Sequence, residues 1–216
     1  IKNPFYLNEY LKNYNDDDEK FGYVEFKEKL WNKVIKKANG SREQAFINIA
    51  KKRAESSQFF INPEIDQSIL SELQNDGLIE YELTGYFITH DIYEEWALEK
   101  YVDIQYLKSV NASDFFHGLI STLPSRRALR NWVSDKILSR SESIIDLVVQ
   151  AIFDDEIQDF WKDEMVVSIL MSDYAENFTD THGARMLDND MELLNRCCRL
   201  LRISCKNLDR KIMEKL

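Results

Sequence analysis

Histidine and cysteine are the residues of this chain with the widest chemical repertoire. An imidazole can carry a proton, ligate a metal or donate an N–H to an anion, and a thiolate can ligate or attack. The chain has three of each: His90, His117 and His182, and Cys197, Cys198 and Cys205. Their spacing excludes most of that chemistry. No two histidines recur at helical spacing, and neither an HExxH pair nor a Cys/His cluster is present, which argues against a zinc site. The cysteines share one helical stretch without a CxxC pair, a pattern of reduced thiols in a cytoplasmic protein rather than a disulfide framework. No GxxxxGK[ST], GxGxxG or GxSxG motif occurs. Acid pairs such as Asp154-Asp155 and Asp163-Glu164 read as helix caps and solvated faces, not acid/base dyads. The expectation is a non-enzymatic segment with no catalytic residue, no metal ligand and no cofactor of its own.

One run keeps its chemical interest: Phe87-Ile88-Thr89-His90-Asp91-Ile92-Tyr93-Glu94-Glu95-Trp96-Ala97. A strand would deliver His90 to the mouth of a long helix, with Asp91 as its cap. Held on that seam, an imidazole can donate one N–H outward to an anion. The plainer reading is that His90 bonds a neighbouring backbone group and fills a corner.

The elements that would position this run follow from periodicity and punctuation. Asn3 can cap, and Pro4 is pre-organised at the first position of a helix to about Tyr14. Further helices are expected over 24–37 and, capped by Ser41, over 41–57. Residues 58–61 read as an extended run, and Asn62-Pro63 as the start of a helix ended by Asp76-Gly77. Two short strands, 78–83 and 86–89, are joined by a turn at Thr84-Gly85. A helix then spans Asp91 to about Lys108. Beyond Ser109 the pattern is helical throughout: 112–122, 125–139, 143–153, 157–172, 191–206 and a short last helix at 208–215. The apolar run from Ile144 to Phe153 marks its helix as the buried centre, and the polar stretch 177–190 reads as a loop.

The fold class expected is therefore mainly α. A winged-helix domain with a small two-stranded hairpin is followed by an α-helical array. The domain boundaries fall at 1–57 (a helical segment), 58–108 (the winged helix) and 109–216 (the array). Six glycines and three prolines in 216 residues suit long helices better than a β-sandwich. No apolar run reaches the roughly 20 residues that a bilayer requires, so no membrane partner is expected. The formal net charge is −10, which disfavours nucleic acid. Within the winged helix the argument sharpens. The would-be recognition helix carries Glu64, Asp66 and Glu72 with no Lys or Arg, a surface that repels a duplex. Basic groups lie elsewhere, in 36–53, in 126–140 and near the C-terminus, and are expected to neutralise the acidic segments within the fold.

The run around His90 resembles the strand–Met-His-Asp–helix motif of the signal-transducing STAND-class P-loop NTPases, the class containing NB-ARC and NACHT proteins. His90 and Asp91 match, and Thr89 stands where the family has methionine. Asn3-Pro4-Phe5-Tyr6-Leu7 is similar to the family's proline-containing helix start after the nucleotide domain. The resemblance covers residues 1 to about 108. It implies that His90 contacts the β-phosphate of ADP in a closed, inactive state and that Pro4 packs near the adenine. It further implies ADP or ATP with Mg in the full-length protein, and an upstream P-loop domain of the same chain as partner, since residue 1 reads as a cut. Signal transduction, with defence as its setting, and a protein partner or self-oligomerisation through the helical array are implied by the same resemblance. The rival reading is a protein-interaction scaffold, winged helix plus helical array, with no nucleotide role. The two separate on one point: whether His90 lies open beside the N-terminal helix or is buried within the hairpin.

Overall fold

The computed structural model describes residues 4–13 and 22–204. The expected cap Asn3, the end of the first helix at Tyr14, Cys205 and the helix at 208–215 lie outside the described residues. The chain is mainly helical with one small two-stranded antiparallel hairpin. It divides into two compact units, residues 1–53 with 58–94 and residues 54–57 with 95–216. The sequence pattern drew its boundaries at 57 and 108 instead.

In the first unit α1 spans Pro4–Asn13 and α2 Tyr23–Leu30, which runs on into a π-helical turn, Trp31–Lys36. α3 spans Gly40–Ser56 and α4 Gln67–Asn75. Strands β1 (Ile79–Glu82) and β2 (Gly85–Ile88) pair with Tyr81 opposite Tyr86. Phe26, Leu30, Trp31, Ile35, Phe46, Ile49, Leu73, Leu78 and Ile79 form the core.

Three local expectations are corrected here. Asn39, not Ser41, caps α3: its Oδ1 accepts from the N–H groups of Ser41 and Arg42 at 3.1 and 3.3 Å. Asp66, not Asn62, starts α4, accepting from the Ser68 N–H at 2.7 Å. The hairpin turn falls on Leu83-Thr84, with Leu83 at φ 54°. Gly85 is needed for another reason. Ile61 bonds Tyr86 in both directions, at 3.0 and 2.8 Å, and a Cβ on Gly85 would lie 2.7 Å from the Ile61 carbonyl oxygen. The glycine lets a third backbone approach the hairpin.

α5 spans Asp91–Lys108, and the division between units falls inside it, after Glu94. In the second unit α6 (Ala112–Gly118), α7 (Leu123–Leu138), α8 (Glu142–Phe153) and α9 (Asp159–Leu170) follow, then α10 (Ala175–Met186) and α11 (Asp188–Ser204). The buried centre is α9, not α8. Every residue from Trp161 to Leu170 is buried or half-buried, whereas α8 exposes Ser143, Asp146 and Gln150. α9 packs against α7, α8, α10 and α11. The stretch expected as a loop is largely α10. Its apolar stripe is thin, Ala175, Phe178 and Met186 with half-buried His182, and Gly183 interrupts it, so polar composition hid a helical period. α11 opens on a left-handed turn, with Asn189, Asp190 and Met191 at φ 48°, 55° and 60°.

Candidate functional site

Thr89 fixes the position from which the site begins. Its hydroxyl donates to the carbonyls of Gly77 and Leu78 at 2.6 and 3.2 Å, and its N–H bonds the Leu78 carbonyl at 3.1 Å. The base of the hairpin is thereby pinned to the turn that ends α4. A hydroxyl here makes bonds that an apolar side chain could not.

His90 follows at once. Its carbonyl accepts from the N–H groups of Tyr93 and Glu94 at 3.0 and 3.3 Å. His90 therefore holds the capping position of α5 and Asp91 is the first helical residue, a correction to the expected cap. Asp91 still contributes a favourable negative charge in the first turn. The His90 side chain is exposed. Its ring centroid lies 5.3 Å from Phe5 and 6.0 Å from Tyr93, and Phe5 and Tyr93 meet edge-on at 5.2 Å. Among the described residues the imidazole nitrogens have no hydrogen-bond partner.

α1 supplies the other half of this patch. Pro4 is its first residue and is exposed, and Phe5, next to it, touches His90 directly. The structure thus brings the start of α1 and the His90 seam together in one unit. Glu9, one helical turn beyond Phe5, is buried. Its Oε2 accepts from the Tyr93 hydroxyl at 3.1 Å and its Oε1 from the Lys12 ammonium at 3.2 Å. Burial, then the Glu9 charge and hydrogen bond, push the Tyr93 hydroxyl pKa well above the usual tyrosine range. Phe5, Tyr93 and Glu9 were not singled out from the sequence. The available signal was the i,i+4 pair Phe5/Glu9 and the i,i+3 pair His90/Tyr93, each of which places both members on one helix face.

The charge beside the site is arranged locally. Burial raises the Glu94 pKa, the Arg53 guanidinium opposes that rise, and Asp91 adds to it. Arg53, itself buried, lies 3.0 Å from the Glu94 carboxylate and its guanidinium covers the Phe59 ring at 4.9 Å.

The other candidates take structural roles. His117 Nδ1 sits 2.8 Å from the Ser113 carbonyl of its own helix. His182 packs on Phe153 and Phe178, and burial, with Arg185 nearby, lowers its pKa. Glu164 corrects the reading of Asp163-Glu164 as a solvated pair. It is buried, and its two oxygens are held by Arg126 at 2.8 Å and Arg130 at 2.6 Å. Asp163, half-buried, bridges Arg196 and Arg199. Burial raises the Cys197 thiol to about 11. Among the described residues no group of His, Cys, Asp and Glu could hold a metal ion, and no helix is long and apolar enough to cross a membrane. No protein-family model matches the chain, and no curated protein shows significant similarity to it.

Proposed function

We propose that this chain is the regulatory, nucleotide-state-sensing segment of a STAND-type signalling ATPase. Residues 58–108 act as its winged helix and His90 contacts the β-phosphate of ADP in the closed state. The observation that carries this reading is the disposition of His90. Its imidazole is exposed at the N-terminal mouth of α5, braced by two rings and free at both nitrogens among the described residues. A helix N-terminus favours an anion, and the residues present fit a single phosphate contact. They fit no more than that: bound nucleotide would take its affinity from the P-loop domain of the full-length protein, which also brings the Mg site. Pro4, exposed at the start of α1, would pack near the adenine. Exchange of ADP for ATP changes the phosphate that His90 meets and so biases a two-state element.

A scaffold with a structural His90 would predict the ring buried in the hairpin or bonded to backbone. Its exposure beside α1 favours the sensing role. The test is His90→Ala in the full-length protein. Purified wild type is expected to retain ADP, and the variant to lose it and to signal or oligomerise without stimulus. Unchanged ADP occupancy together with unchanged activity would refute the switch.

A further inference from the structure

Resting on that reading, we infer that Phe5 is a positioning residue for His90, holding the imidazole in the orientation that meets the phosphate. A solvent-exposed imidazole with no hydrogen-bond partner is free to sample its rotamers, and fixing it on a ligand costs conformational entropy. Here that cost is met in advance. Phe5 touches the imidazole from α1 and Tyr93 touches it from α5, while the two aromatic rings meet each other edge-on. The three rings form a closed triangle, so the rotamer observed is held by contacts on two sides that a turn of the imidazole toward solvent would give up.

The brace is itself anchored at its far end. The Tyr93 ring is buried, and its hydroxyl is tied to the buried Glu9 carboxylate, which Lys12 neutralises. Phe5 and Glu9 are four residues apart and face the same way on α1. His90 and Tyr93 are three apart at the start of α5. The Phe5–Tyr93 ring pair and the Tyr93–Glu9 hydrogen bond therefore tie the two helices together. This geometry leaves the imidazole nitrogens as the only polar groups of the triangle still available to a ligand. It also makes the orientation of His90 depend on α1 staying docked, so that a movement of α1 would be reported at the phosphate contact.

The experiment uses proton NMR of the three histidine rings, with His90 assigned from His90→Gln, and inorganic pyrophosphate as the probe. In wild type the His90 ring protons should be displaced by the Phe5 ring current and should move further on adding pyrophosphate, with His117 and His182 as internal controls. Phe5→Leu should abolish the ring-current displacement and weaken the pyrophosphate response about two- to tenfold, the cost of ordering one side chain. Phe5→Tyr should restore both. Tyr93→Phe keeps the ring but cuts the tie to Glu9, and should loosen α1, seen as faster amide exchange in residues 4–13. A His90 displacement and pyrophosphate response that survive Phe5→Leu intact would overturn the positioning role. A wild type whose displaced His90 resonance ignores pyrophosphate even at about 50 mM, well above the weak dissociation constant that a single phosphate contact allows, would instead overturn the phosphate reading beneath it. The ring-current signal, which needs no ligand, separates the two failures.

Discussion

Arg42 sits in a run of basic residues that, by composition, belongs on a solvated face, yet its side chain is 1% exposed. Its Nε donates to the Ile35 carbonyl at 2.7 Å and one terminal nitrogen to the Val34 carbonyl at 3.1 Å. The same nitrogen lies 2.6 Å from the Asp76 carboxylate. These are the orphan carbonyls of the π-helical end of α2, where the chain reverses through Lys37 at φ 50°. Removing the guanidinium strands two carbonyls and leaves Asp76 with Lys37 as its remaining cation, so Arg42→Met should cost about 3 kcal/mol in a urea titration. Asp76 supplies a pH-dependent companion test. Burial alone would raise its pKa, but Lys37 and Arg42 outweigh that and leave it below 3.8. A carboxylate with a depressed folded-state pKa contributes stability above its unfolded value and loses it as the pH falls through the folded one. Asp76→Asn should therefore be less stable than wild type at neutral pH, with the gap closing as the pH drops below 3.8. An undiminished gap in acid would refute the ion-pair account. Spacing and type made His90 legible, because a strand, a histidine and a capped helix leave a linear trace. Arg42 left none, and Phe5 and Glu9 left only a shared helix face, because each matters through residues distant in sequence.

At the scale of elements, α9 holds the second unit together, and its central polar residue is Glu164. Its carboxylate is shared by two guanidiniums of α7, Arg126 at 2.8 Å and Arg130 at 2.6 Å. Arg126 also lies over the Phe160 ring at 5.2 Å. Glu164→Gln removes the charge that both arginines face while keeping the side-chain volume. The expected loss is about 3 kcal/mol, because the two partly buried cations are left facing each other. A variant with an unchanged urea midpoint would show that water compensates the arginines fully. The helix assignments teach a related lesson. α8 looked central because its stretch is almost wholly apolar, and those apolar residues are indeed buried or half-buried, but its polar residues Ser143, Asp146 and Gln150 face outward. α9 reads less apolar, since Lys162, Asp163 and Glu164 interrupt it, and only their pairing allows it to be the centre. Composition along one element cannot register the partners that another element brings, and α10 escaped notice for the converse reason, a stripe of three apolar residues on a polar chain.

Across the whole molecule the net charge of −10 is not spread evenly. Several basic residues are paired within the fold: Lys37 and Arg42 on Asp76, Lys36 on Glu43, Arg53 on Glu94, Arg127 on Glu95 and Lys136 on Asp103. What remains on the first unit is an acid surplus. Glu64, Glu80, Glu82 and Asp91 are exposed and have no cationic partner among the described residues. That surplus opposes a nucleotide as much as it opposes a duplex, because a phosphate approaching His90 meets like charge. Against it stands one imidazole–phosphate bond, worth ~1.5–3 kcal/mol when charge-assisted. A dissociation constant of ~1 mM already requires about 4.1 kcal/mol. The chain alone should therefore bind ADP with a dissociation constant weaker than ~1 mM, measured by calorimetry or by following the His90 ring resonances. On the proposed reading, a P-loop backbone and Mg site elsewhere in the full-length protein would supply what one histidine cannot, and the full-length protein should then bind ADP orders of magnitude more tightly. Nanomolar to low-micromolar binding by this chain alone would mean that a second group of ligands exists within it, and the sensing role assigned to His90 would have to give way to a complete nucleotide site.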